Sequence, residues 1–128
     1  MRQELASLQD SVRVIVFTQE MECQFCRETR ELAQEVAQLS DKISVEVYDF
    51  LKDPKKVSEY EIDKVPAMAV VGKGDYGIRY YGIPAGYEFG TFIKDLRMVS
   101  KGATELSERS RTKLASVVEP VHIQVFVT

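Results

Sequence analysis

The two cysteines of this chain lie three residues apart, in the stretch CQFC at residues 23–26. Shortly before them comes VRVIVF at residues 12–17, an apolar run rich in β-branched side chains that predicts a buried strand. After them, CRETRELAQEVAQLS places Leu32, Val36 and Leu39 at spacings of four and three, with Arg, Glu and Gln between. That is the pattern of an amphipathic helix. The cysteines therefore fall at a strand-to-helix junction, which limits both their chemistry and what the chain can build around them.

At such a junction Cys23 sits at or just before the helix N-terminus, where unpaired N–H groups and the helix dipole favour a thiolate. Cys26 falls one turn further in, on the inward side with Ala33, and is the more buried of the two. Side chains three apart on a helix are neighbours and come within disulfide reach. One exposed and one shielded thiol that can bond each other make a two-electron switch. Two other uses compete with this one. Both could be small core residues whose spacing is incidental, or both could be metal ligands. A closed zinc site takes four ligands, and the remaining candidate, His122, is about a hundred residues away. A Zn or Fe–S centre shared between two chains would escape that objection.

The rest of the chain alternates in kind. ISVEVYDF reads as a second strand, and DPKKVSEYEI as a short helix with Asp53 as cap and Pro54 at its first position. PAMAVV and IRYYG, separated by the turn GKGDYG, make a hairpin. GYEFGTFIKDLRMVS is a last amphipathic helix through Phe89, Phe92, Ile93 and Leu96, weakened by Gly90. A short leading helix passes through Leu5 and Leu8. A β-α-β unit joins parallel strands by a right-handed crossover, and the hairpin is antiparallel within itself. The predicted class is α/β, a mixed central β-sheet with helices on both faces.

Composition narrows the function. The chain has 128 residues, 45% of them hydrophobic, and a net charge of −3. That is one domain's worth with a real core, and it lacks a basic nucleic-acid footprint. No apolar run is long enough to span a bilayer, and MRQELASLQD is not a signal-peptide start. The expectation is a soluble, cytoplasmic protein with no membrane or nucleic-acid partner.

A strand, a Cys-x-x-Cys opening a helix, a β-α-β unit and a Val-Pro opening a hairpin resemble the thioredoxin and glutaredoxin superfamily. More narrowly, VFTQEMECQFCRETRELAQEVAQLSDKI, KVPAMAVVG and YYGIPAGYEFGTFIKDL are similar to the protein disulfide oxidoreductases. These are glutaredoxin-like proteins of thermophile type, with two thioredoxin-fold units in tandem. The resemblance implies a thioredoxin fold and a thiol–disulfide oxidoreductase that reduces, forms or isomerises protein disulfides. It makes Cys23 the attacking and Cys26 the resolving cysteine, and Pro66 a cis-proline facing them. Val65, Pro66, Gln24 and Phe25 become the substrate-contacting residues. The redox-active disulfide is the only cofactor it implies, with no metal. Its partners would be protein disulfide or dithiol substrates, a thioredoxin reductase-type flavoprotein and a peroxiredoxin.

There are departures from thioredoxins. Glu22 replaces the Trp before the motif, Gln24 and Phe25 replace Gly-Pro inside it, and the first strand holds no acid. Glu20, Glu22 and Asp49 are the remaining candidates for a proton relay, each otherwise a solvated carboxylate. By charge alone Glu20 and Glu22 would raise the Cys23 pKa and Arg27 would lower it, and the sequence leaves the balance open.

The end of the chain repeats its beginning. VHIQVFVT from residue 121 matches VRVIVFTQ from residue 12 in register, about one thioredoxin-fold unit later. The predicted organisation is a thioredoxin-like domain over residues 1–100 and a linker with a helix capped by Thr104 over 101–120. Residues 121–128 are then the first strand of a truncated second unit. The competing readings are a fifth strand on the sheet edge, and a tandem protein in which this unit mainly docks the other.

Overall fold

A computed structural model describes residues 2–127. Strand β1 (Val12–Thr18) is central. It pairs in parallel with β2 (Ile43–Asp49), Val14 opposite Val45. It pairs antiparallel with β3 (Ala67–Val71), Val16 opposite Met68. Strand β4 (Ile78–Tyr81) completes the hairpin, with Tyr80 opposite Met68. The sheet order is β2-β1-β3-β4. Strands flanked on both sides and covered on both faces read as continuous apolar runs, and VRVIVF and AMAVV do so.

Alternate side chains of β1 and β3 serve opposite faces. On one face Val14, Val16, Met68 and Val70 pack with Ala33 and Val36 of α2 (Cys26–Ala37) and Phe92, Ile93, Leu96 and Val99 of α4 (Tyr87–Lys101). On the other, Ile15, Phe17, Ala67, Ala69 and Val71 pack with Tyr60 and Ile62, and with Val57 of α3 (Pro54–Glu59). The helices lie on both faces, as the pattern required. Asp53 is the N-cap of α3, but its carboxylate accepts from the Asp49 N–H (2.8 Å) and makes no cap bond within the helix.

The helix α1 (Arg2–Ala6) packs against α4. It seats Leu5 in the core at 0% exposure and ends before Leu8, which packs from the following loop. Ser100 on α4 clasps the approach to β1, accepting from the Asp10 N–H (3.0 Å) and donating to the Asp10 carbonyl (2.7 Å). Gly72 lets β3 approach α4: a Cβ there would stand 2.7 Å from Val99 Cγ1 and 3.0 Å from the Val99 carbonyl oxygen.

Two readings beyond residue 101 are overturned among the described residues, the Thr104 cap and the rival fifth strand on the sheet edge. The linker helix α5 (Glu108–Leu114) is capped by Ser107, whose Oγ accepts from the Ser110 N–H at 3.2 Å. The hydroxyl of Thr104 instead accepts from the Leu106 N–H, so it serves a turn three residues too early to cap the helix. Residues 121–127 form no strand; all are exposed, and no fifth strand joins the sheet among the described residues. A strand is made by pairing, and this segment has no pairing partner here. Thr128, the last residue of that predicted strand, lies outside the described residues.

Candidate active site

The parallel pair β1 and β2 ends at the same edge of the sheet, and the antiparallel pairing starts β3 at that edge too, Phe17 opposite Ala67. Topology thus gathers four segments there. They are the loop 19–25, the turn after β2, the Lys64–Val65–Pro66 approach to β3, and the stretch 82–86 that starts α4.

Cys23 and Cys26 are joined by a disulfide, their Cα atoms 5.6 Å apart. The helix starts later than expected. Phe25 is the N-cap and Cys26 the first helical residue, so Cys23 lies in the loop and the bond crosses a turn rather than a helical face. The Cys23 sulfur is nonetheless anchored to the first helical residue, beside the unpaired N–H groups of the helix end. Cys26 is buried at 5% exposure and shares its stripe with Thr29, Ala33 and Val36. Cys23 is half-buried. Glu22, just before it, has φ 55°, a left-handed conformation that non-glycine residues rarely adopt outside over-determined sites.

The structure disperses the candidate acids. Glu20 pairs with Lys52 at 3.2 Å, both exposed. The Asp49 carboxylate accepts from the Leu51 and Lys52 N–H groups at 2.8 and 2.9 Å. Those bonds hold it below the usual carboxylate range, as a fixed turn acceptor. Glu22 is exposed, and no ion pair involves it among the described residues. Arg27 turns along α2 to Glu31 at 3.0 Å, so its charge is spent one turn away from the cysteines. Among the described residues no three His, Cys, Asp or Glu side chains come together as metal ligands, and His122 lies in the exposed 121–127 segment.

Val65–Pro66 is a cis peptide bond, in line with the resemblance. Pro66 is buried and Val65 half-buried. The Pro66 carbonyl accepts from the Gly82 N–H at 2.9 Å, which ties this approach to the end of β4. Lys64 places its ammonium 4.2 Å from the Tyr81 ring centroid, a cation–π contact. Gln24 and Phe25 are both exposed. At the same end of the sheet, Met21, Leu51, Tyr81 and Tyr87 also stand in solvent. Sequence reading missed this rim, because an exposed apolar side chain carries the same hydropathy signal as a core one. It also passed over Thr29, although the spacing from Cys26 to Ala33 puts it on their stripe.

A disulfide held at the carboxyl edge of such a sheet, between an exposed loop and a helix start, defines a thiol–disulfide oxidoreductase. Residues 12–94 match the thioredoxin domain family, and the chain belongs to it. A probable thioredoxin of Methanothermobacter thermautotrophicus is 34% identical over 85 residues, which cover 66% of this chain and 94% of that one. The crystal structure of a protein disulfide oxidoreductase from Aeropyrum pernix superposes with a TM-score of 0.80 at 27% identity, covering 90% of this chain and 51% of that chain. An alkylhydroperoxide reductase from Enterococcus faecalis, AhpF, gives 0.80 at 25% identity, over 92% of this chain and 59% of that one. This chain therefore spans about half of the Aeropyrum protein's length. No helix among the described residues is long and apolar enough to cross a membrane.

Proposed function

We propose that Cys23 is the attacking thiol and Cys26 the resolving one. The difference in their exposure supports this reading: Cys23 is half-buried in a largely exposed loop, while Cys26 is 5% exposed and reachable chiefly by its neighbour. As a thiolate, Cys23 attacks a substrate disulfide, forming a Cys23–substrate bond and expelling one substrate thiolate. The Cys26 thiolate then attacks the Cys23 sulfur. The Cys23–Cys26 bond forms, the second substrate sulfur leaves with its electron pair, and solvent protonates it. Two electrons pass from the cysteine pair to the substrate. Run backwards, the steps oxidise a dithiol. The disulfide itself is the only cofactor this chemistry needs.

The substrate is a protein whose segment lies against Val65, Pro66, Gln24 and Phe25. The exposed apolar rim at the same edge supports a macromolecular partner, since small thiols have no use for it. Likeness to an alkylhydroperoxide reductase supports a peroxide-linked pathway, with a peroxiredoxin as target and a thioredoxin reductase-type flavoprotein as electron source. The cytoplasm is the fitting compartment, because its thiol pools can keep the pair cycling. Residues 121–128 would open a second thioredoxin-like unit, supported by their match to β1 and by the half-length coverage of the Aeropyrum protein.

Replacing Cys26 with Ser tests the roles. The C26S protein accumulates mixed disulfides through Cys23, detected as reductant-sensitive adducts by mass, while C23S accumulates none. Adducts confined to C23S would reverse the assignment.

A further inference from the structure

Thr29 lies on α2 one turn beyond Cys26 and is fully buried. Its Oγ1 is the only buried side-chain oxygen or nitrogen without a hydrogen-bond partner among the described residues. Helical threonines commonly return the hydroxyl to a carbonyl one turn back. Here the Phe25 carbonyl accepts from the Thr29 N–H at 3.0 Å, and the hydroxyl makes no such bond. Orphaned buried polar atoms are rare in native folds, and each one needs a reason.

The reason lies in the redox state. Side chains three apart on a helix are neighbours, and helical side chains lean toward the N-terminus. The Thr29 hydroxyl therefore leans over the turn that holds Cys26. In the oxidised pair the Cys26 sulfur is bonded to Cys23 and carries neither proton nor charge. Once that bond opens, the same sulfur becomes a thiol or thiolate with 5% exposure, poorly placed to be solvated by water. A hydrogen-bond donor then has work to do.

We propose that the Thr29 hydroxyl donates to the Cys26 sulfur in the reduced state and so supports the resolving thiolate. This rests on the resolving role assigned to Cys26 above. In the resolving step the Cys26 thiolate attacks the Cys23 sulfur of a mixed disulfide, and the substrate sulfur leaves with the electron pair and takes a proton from solvent. The hydroxyl stabilises the attacking thiolate beforehand and is left without a partner afterwards. It therefore favours the dithiol over the disulfide, which makes the pair a stronger oxidant than its apolar isostere would be.

The experiment equilibrates the wild-type chain, Thr29→Val and Thr29→Ser with a series of glutathione buffers and counts alkylated thiols by mass. The protein disulfide and two glutathione thiols exchange for the protein dithiol and one glutathione disulfide, a balanced two-electron transfer. Thr29→Val should need about tenfold more reducing buffer to open the bond, the scale of one charge-assisted hydrogen bond. Thr29→Ser, which keeps the hydroxyl, should stay within about twofold of wild type. Melting both redox forms supplies an independent readout: Thr29→Val should stabilise the oxidised form and weaken the reduced one. Equal midpoints for wild type and Thr29→Val, or a Ser variant shifted as far as Val, would overturn the assignment. A wild-type chain whose two thiols never pair reversibly would instead defeat the functional reading on which it rests.

Discussion

Two stretches of this chain share one pattern and meet opposite fates. VRVIVFTQ begins at residue 12 and VHIQVFVT at residue 121, aligning Val12 with Val121, Val14 with Ile123, Val16 with Val125 and Phe17 with Phe126. The first four are 0% exposed in the central strand; their counterparts are 69%, 80%, 79% and 89% exposed. The difference is not in the side chains. Strand β1 has β2 on one side and β3 on the other, with α2 and α4 over one face. The second stretch has none of these. Hydrophobic patterning states which side chains can be buried, and neighbouring backbones decide whether they are.

The comparison breaks most sharply under charge. Val16→Asp puts a carboxylate between β2 and β3, beneath the helices, where an unpaired buried charge costs several kcal/mol. That is comparable to the whole stability of a domain this size. The variant should show no cooperative thermal transition by circular dichroism. Val125→Asp, the matching change, should melt within about 1 °C of wild type. If both variants melted alike, residues 121–127 would be packed in solution, and the contrast between the stretches would be wrong.

A second test sets the two flanks of the family match at 12–94 against each other. Leu5 is 0% exposed although α1 has only five residues. Leu5→Ala should cost about 2–5 kcal/mol, which lowers the melting temperature by roughly 10–20 °C in a domain of this size. Deleting residues 104–128 should change it by less than about 2 °C, because that segment buries almost nothing. A truncated chain that melts far below wild type would show that the second flank contributes to the fold.

The same contrast explains what could be read in advance. The sheet, its helices and the cysteine pair were legible because their signals are periodic or chemical. A short continuous β-branched run and a period of 3.6 separate VRVIVF from LAQEVAQL, and two cysteines at a strand-to-helix junction have few uses. What escaped depended on partners. Phe25 rather than Cys23 caps α2, a shift of the size at which helix ends are routinely ambiguous. Arg27 and Glu20 were placed near Cys23 by sequence, yet each found another charge, Glu31 and Lys52. Asp49 became a turn acceptor because two N–H groups following β2 point at it. Thr29 looked like one more polar residue of a polar helix until the helix was docked.

The smallest expected effect tests whether the chain beyond residue 103 is coupled to the core at all. Ser107 caps α5 through its bond from the Ser110 N–H, and losing such a cap costs a helix about 1 kcal/mol. Within a packed helix that cost would reach the whole domain. Helix α5 has seven residues and buries none, and isolated helices of that length are marginal in water. Ser107→Ala should therefore lower the helical circular-dichroism signal slightly at low temperature. The midpoint of the cooperative transition should move by less than about 1 °C. If that midpoint instead fell by roughly 4–8 °C, the full cap energy expressed in a small domain, α5 would be folding with the core. The boundary between the buried and unpartnered parts of the molecule would then lie beyond Leu114 rather than before Ser107.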